Sequence, residues 1–196
     1  MEKTIRCLLV EELRDLLSAE LQIVQALPKM IEAAENKELK KAFSSHLGET
    51  KKQVRRLEKI FKLMNIAKKS KFCKAARGLI QECKEVLGDH RKKSALRDAA
   101  LIAKAQRIEH YEISAYGTAH AFAKELKLYE VASLLQETLE EESGADSKLS
   151  RIAEGWVLHT GVNYKARIDG EHETDIHDQS DFFRMMRRFQ KARKAA

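Results

Sequence analysis

Residues 109–117 read Glu109-His110-Tyr111-Glu112-Ile113-Ser114-Ala115-Tyr116-Gly117 and follow an alanine-rich, helix-favouring run. Glu109 and Glu112 are three apart, so on a helix they project from neighbouring points of one face. That face continues the apolar seam. A carboxylate in a dry interior costs several kcal/mol unless something compensates it. The fold is therefore sought in whatever else shares the level of these two acids.

Working outward, residues 94–126 form one long predicted helix. Residues 129–156 form the next, with the stripe Val131, Leu135, Thr138, Glu142, Ala145, Leu149, Ile152 and Trp156. Glu142 sits in the middle of that stripe. On the N-terminal side, residues 4–35 repeat Leu9, Leu13, Leu16, Val24, Leu27 and Ile31, with Glu20 in the seam. Pro28 falls inside this segment and is expected to kink it, because proline removes one backbone donor and crowds the preceding turn. Residues 37–66 carry Leu39, Phe43, Leu47, Val54, Leu57, Ile60, Phe61 and Met64, a seam interrupted by His46, Glu49, Thr50 and Gln53. A shorter amphipathic piece over 72–87, stopped by Gly88, reads as a crossover. Two helical hairpins joined by a crossover make an all-α, four-helix bundle of ferritin-like topology.

Composition agrees with that class. The chain has 196 residues, 34% of them charged, 6% aromatic and one proline, which suits one buried core built from straight helix-forming side chains. No apolar run is long enough to span a bilayer and the N-terminus lacks a signal-peptide layout, so a cytoplasmic address without a membrane partner is expected. Cys7, Cys73 and Cys83 match no zinc or redox spacing and read as reduced packing residues. The net charge of +7 is spread along the chain, and no nucleic-acid motif accompanies it. A solvated surface is the preferred reading, with nucleic acid disfavoured as a partner.

The chemistry rests on the spacing of the acids. Glu20 and Glu49 are 29 positions apart, and Glu112 and Glu142 are 30 apart, so each pair can meet at one height across its hairpin. No lysine or arginine falls in the inner stripes to balance them. Two divalent cations would, and hard oxygen donors suit iron or manganese, with magnesium a further candidate. The expected ligand set is Glu20, His46, Glu49, Glu109, Glu112, Glu142 and Asp146. His46 precedes Glu49 by three positions and stands open between direct ligation and orienting a ligand. Asp146 lies one turn beyond Glu142, as Gln53 does beyond Glu49. Glu140 and Glu141 read as solvated, and Tyr111 and Tyr116 as packing or as a relay beside a metal. The usual Glu-x-x-His pairs of di-iron bundles are missing, since Lys52 follows Glu49 and Ala145 follows Glu142 at that spacing.

Several collinear stretches carry a family resemblance: Ser18-Ala19-Glu20, Ala26-Leu27-Pro28-Lys29-Met30, His46-Leu47-Gly48-Glu49-Thr50, Arg97-Asp98-Ala99-Ala100-Leu101-Ile102, Glu109-His110-Tyr111-Glu112 and Glu137-Thr138-Leu139-Glu140-Glu141-Glu142. The chain resembles the YciE/YciF group of ferritin-like bacterial proteins through about residue 152. That resemblance implies a homodimeric bundle with a dinuclear metal site and an association with stress response, without an assigned reaction. Gly48 stands where the family often has glutamate.

The expected function is therefore a ferritin-like dinuclear metal protein with oxygen or peroxide chemistry. The alternative is a non-enzymatic helical stress or scaffold protein with a structural ion or a proton-sharing core. Residues 1–156 form the bundle in this reading. Residues 157–196 form an extension, with an exposed loop bearing His172 and His177 and a short basic helix over 182–196.

Overall fold

The computed structural model describes residues 4–90, 92–156 and 159–171. Helix α1 spans Ile5–Ala33 and α2 spans Lys37–Leu63. The crossover holds α3, Lys74–Asp89, and the second hairpin is α4, Ala95–Glu125, with α5, Tyr129–Glu154. Two-residue strands β1, Gly155–Trp156, and β2, His159–Thr160, pair antiparallel before α6, Val162–Glu171.

Local chemistry fixes the helix ends. Thr4, Asn36 and Ser94 accept hydrogen bonds from first-turn amides of α1, α2 and α4, and the Cys73 thiol does the same for α3. After α2 the chain turns left-handed at Asn65 (φ 51°), letting the Ile66 amide reach back to the Phe61 carbonyl. Lys127 (φ 57°) makes the same turn between α4 and α5, and the Leu128 amide reaches the Ala123 carbonyl.

Helix α1 continues through Pro28 to Ala33, and Pro28 is exposed, so its ring is accommodated on the outer side. The departures from expectation lie at helix ends: α5 stops at Glu154, so Trp156 falls in β1 rather than in the helical stripe. Gly88 lies within α3, which continues to Asp89 before the His90 cap. The expected basic helix over 182–196, together with His172 and His177, lies outside the described residues.

The four long helices bury two apolar clusters, one at each end of the bundle. One joins Ile23, Leu27, Met30, Leu39, Phe43, Ile102, Ile108, Leu149 and Ile152. The other joins Leu9, Leu13, Leu16, Leu57, Ile60, Phe61, Tyr116, Val131 and Leu135. Each helix runs from one cluster to the other, and at the crossing each contributes polar residues: Glu20, then His46, Thr50 and Gln53, then Glu109 and Glu112, then Thr138 and Glu142, all buried. Among the described residues the buried charge gathers in a layer between two greasy halves, with Arg97 and Asp98 the exceptions at one end of the bundle.

Arg97 and Asp98 fasten the first hairpin to the second. The Arg97 guanidinium donates to the carbonyls of Ala33 and His90, while Asp98 accepts the amides of Glu35 (2.9 Å) and Asn36 (2.6 Å). At this same end of the second hairpin, α6 packs on α4 and α5 and adds Val162 to the core. Gly161 permits this: a Cβ there would lie 2.3 Å from the Glu154 carbonyl carbon.

Candidate metal centre

Helix α2 brings His46, α4 brings Glu109 and Glu112, and α5 brings Glu142 to one point. One donor atom from each lies within 4.8 Å of the others. His46 Nε2 is 3.4 Å from Glu109 Oε1 and 4.0 Å from Glu142 Oε2. Both nitrogens of His46, both oxygens of Glu112 and of Glu142, and Glu109 Oε2 are buried with no hydrogen-bond partner. Buried polar atoms are almost always satisfied, so this concentration of orphaned donor atoms could hold a cation. One imidazole nitrogen and three carboxylates form a donor set suited to a divalent ion of iron, manganese or zinc type.

Glu20 reaches the same layer from α1 but is not part of that group of four. Its Oε1 accepts the Tyr116 hydroxyl, and its Oε2 is orphaned and buried. Tyr116 is thus more than packing. Among the described residues its hydroxyl is the neutral donor that meets a fully buried acid of the layer directly.

Burial dominates the electrostatics. It pushes Glu20 up to about 8, against the Tyr116 hydrogen bond and the attraction of His46. Burial also drives Glu142 up to about 7, although His46 pulls it down. Glu109 and Glu112 stand well above the ordinary carboxylate range for the same reason, reinforced by Glu142. Burial alone would lower His46, yet the surrounding carboxylates, Glu109 foremost, raise it to about 10. Without a cation the layer keeps protons; with one, the carboxylates can ionise.

The remaining expected ligands lie at the margin. Glu49 is half-exposed at 3.8 Å from His46 Nδ1, accepts the Ser45 hydroxyl, and is held below the usual carboxylate range chiefly by His46. Three residues along a helix correspond to a rotation of about 300°, so Glu49 sits about 60° round α2 from His46. Asp146 accepts Gln106 Nε2 at 3.0 Å and faces His110 at 3.5 Å, outside the group of four.

A guanidinium absent from the expected stripes also reaches the layer. Arg56, whose side chain is 9% exposed, donates to Thr138 (2.7 Å), Glu141 (2.9 Å) and Glu137. Gln53 donates to the same Glu141 oxygen at 2.9 Å. Glu141 is therefore half-buried and paired, where a solvated position was expected. Arg56 follows Gln53 by three positions, and that spacing was the available signal.

The family model described as "Domain of unknown function (DUF892)" matches residues 4–161. The chain belongs to the DUF892 family. Protein YciF of Escherichia coli K12 is 43% identical over 152 residues, covering 77% of this chain and 91% of YciF. The crystal structure of that E. coli stress protein superposes with a TM-score of 0.73, covering 76% of this chain and 94% of YciF. YcfI from Rhodopseudomonas palustris superposes with a TM-score of 0.74 at 44% identity, covering 77% and 96% of the two chains. The DUF892 match thus includes the whole polar layer and both hairpins, and ends just before α6. No helix among the described residues is long and apolar enough to cross a membrane.

Proposed function

We propose that this chain is a metal-binding bundle of the stress response in which His46, Glu109, Glu112 and Glu142 hold a divalent cation that stabilises the core. The observation that supports it is the convergence of four buried donors within 4.8 Å, with their atoms otherwise unpartnered. The stress role is carried over from the E. coli relative's description as a stress protein. Metal analysis of the full chain purified without chelator, followed by equilibrium titration with manganese(II) and iron(II), tests the reading. One tightly held ion per chain is the expected result. A chain that arrives metal-free and takes up neither ion refutes it.

A second reading is favoured by the charge count. Glu20, Glu109, Glu112 and Glu142 are all buried, and fully ionised they carry four negative charges beside a neutral, ligating His46. One divalent ion leaves two to be cancelled by protons; two ions leave none. The orphaned Oε2 of Glu20 supplies a donor for a second ion. Two equivalents in the titration support this dinuclear form. Redox-active ions there would supply electrons for oxygen or peroxide chemistry, while the chain's own part is to hold, orient and desolvate them. Peroxide consumption by the loaded protein is the readout. Assembly as a cytoplasmic homodimer belongs to the same proposal and is checked by sedimentation equilibrium and cell fractionation.

A further inference from the structure

A cavity of about 240 Å³ reaches the candidate centre between α2 and α5. His46 and Glu109 form its buried end, Phe43 and Ala145 are part of its wall, and the half-exposed Glu49 and exposed Lys148 lie toward the surface. We propose that this cavity is the entry path for a hydrated divalent cation, and that Glu49 is the transfer ligand that receives the ion at the rim and passes it to His46 and Glu109. The inference rests on the reading of the centre as a cation site.

Three observations carry it. First, access is needed: Glu20, Glu112 and Glu142 are at most 1% exposed, and apolar clusters close the layer at both ends. Second, the donors at the inner end face the cavity without hydrogen bonds. His46 and Glu109 are 6% and 3% exposed, yet both His46 nitrogens and Glu109 Oε2 lack hydrogen bonds. Third, the donors form a graded series. Glu49 Oε2 lies 3.8 Å from His46 Nδ1, and His46 Nε2 lies 3.4 Å from Glu109 Oε1. An ion can exchange waters for protein donors one at a time along that series.

Size and charge narrow the occupant. At about 30 Å³ per water, a cation with six waters needs about 180 Å³, which the cavity holds. Pockets for drug-sized ligands start at about 300 Å³. Glu141 also lines the cavity, but Arg56 and Gln53 hold it. Glu49 has the Ser45 hydroxyl, the flanking His46 and the attraction of Lys148 but no guanidinium, which leaves it able to turn toward an arriving ion. Lys148 stands on the same rim and its positive charge opposes cation entry.

The test is stopped-flow uptake of cobalt(II), followed by its visible absorption, in the metal-stripped full chain and in Glu49→Gln, Ala145→Phe and Lys148→Gln variants. Glu49→Gln should slow association about tenfold, within the range of electrostatic effects on encounter rates, without changing the ions bound at equilibrium. Ala145→Phe, which narrows the cavity, should slow it as well. Lys148→Gln should accelerate it by about threefold. Unchanged rates in both Glu49→Gln and Ala145→Phe overturn the proposal. So does a loss of bound ions in Glu49→Gln, which makes Glu49 a permanent ligand. Should Ala145→Phe fail to fold by circular dichroism, Glu49→Gln alone decides. A wild-type chain that takes up no cobalt fails earlier and at a different point, the cation site itself.

Discussion

Stripping the cation should turn the polar layer into a pH-dependent weakness. The Glu142 carboxyl stands at about 7 in the fold against an ordinary value of 4.5, and Glu20 stands at about 8. A raised folded-state value means that the fold binds the proton more tightly than the unfolded chain does. The associated stability is present below about pH 4.5 and is lost as pH rises through the folded value. Each tenfold change is worth about 1.4 kcal/mol. Glu142 alone then removes about 2 kcal/mol between about pH 5.5 and about pH 8, or about 4 to 8 °C in melting temperature for a chain of this size. Glu20 and His46, also raised, act with the same sign in that interval. Starting near pH 5.5 leaves the ordinary surface carboxylates already ionised. The assay is differential scanning calorimetry of chelator-treated protein across that range, repeated with saturating manganese(II). Because the ion displaces protons, it should raise the melting temperature more at the alkaline end than at the acid end. A metal-free chain whose melting temperature stays flat or rises with pH refutes the reasoning.

Other consequences are more local. Tyr116→Phe removes the hydroxyl that Glu20 accepts within the core and should cost the metal-free protein about 1 to 3 kcal/mol by denaturant titration; a neutral result places no weight on that bond. Asp98→Ala leaves the amides of Glu35 and Asn36 without their carboxylate and should cost about 1 to 2 kcal/mol, with hydrogen exchange rising first in the turn between α1 and α2. Arg56→Met keeps the buried stem but releases Glu141 and Thr138. It should lower stability by about 1 to 3 kcal/mol while leaving the number of bound ions unchanged in a metal titration.

What the sequence determined is what repeats locally. Seams of period 3.6 define each long helix, because side-chain direction on a helix depends only on position along it. The same periodicity placed Glu20, Glu109, Glu112 and Glu142 inside, and the spacing across the second hairpin put Glu112 and Glu142 at one level. Tertiary structure decided the rest. Whether His46 or Glu49 faces the layer turns on about 60° of rotation about α2, which neighbouring helices set and spacing cannot. Arg56 enters the layer because a long side chain can bury its stem from a position flanking the stripe. Tyr116 meets Glu20 across 96 positions of sequence, a contact that exists only once both hairpins are packed. Whether α6 lies on the bundle was equally invisible to periodicity, since Val162 is one apolar residue whose burial depends on the turn at Gly155 and Gly161 bringing it back to α4.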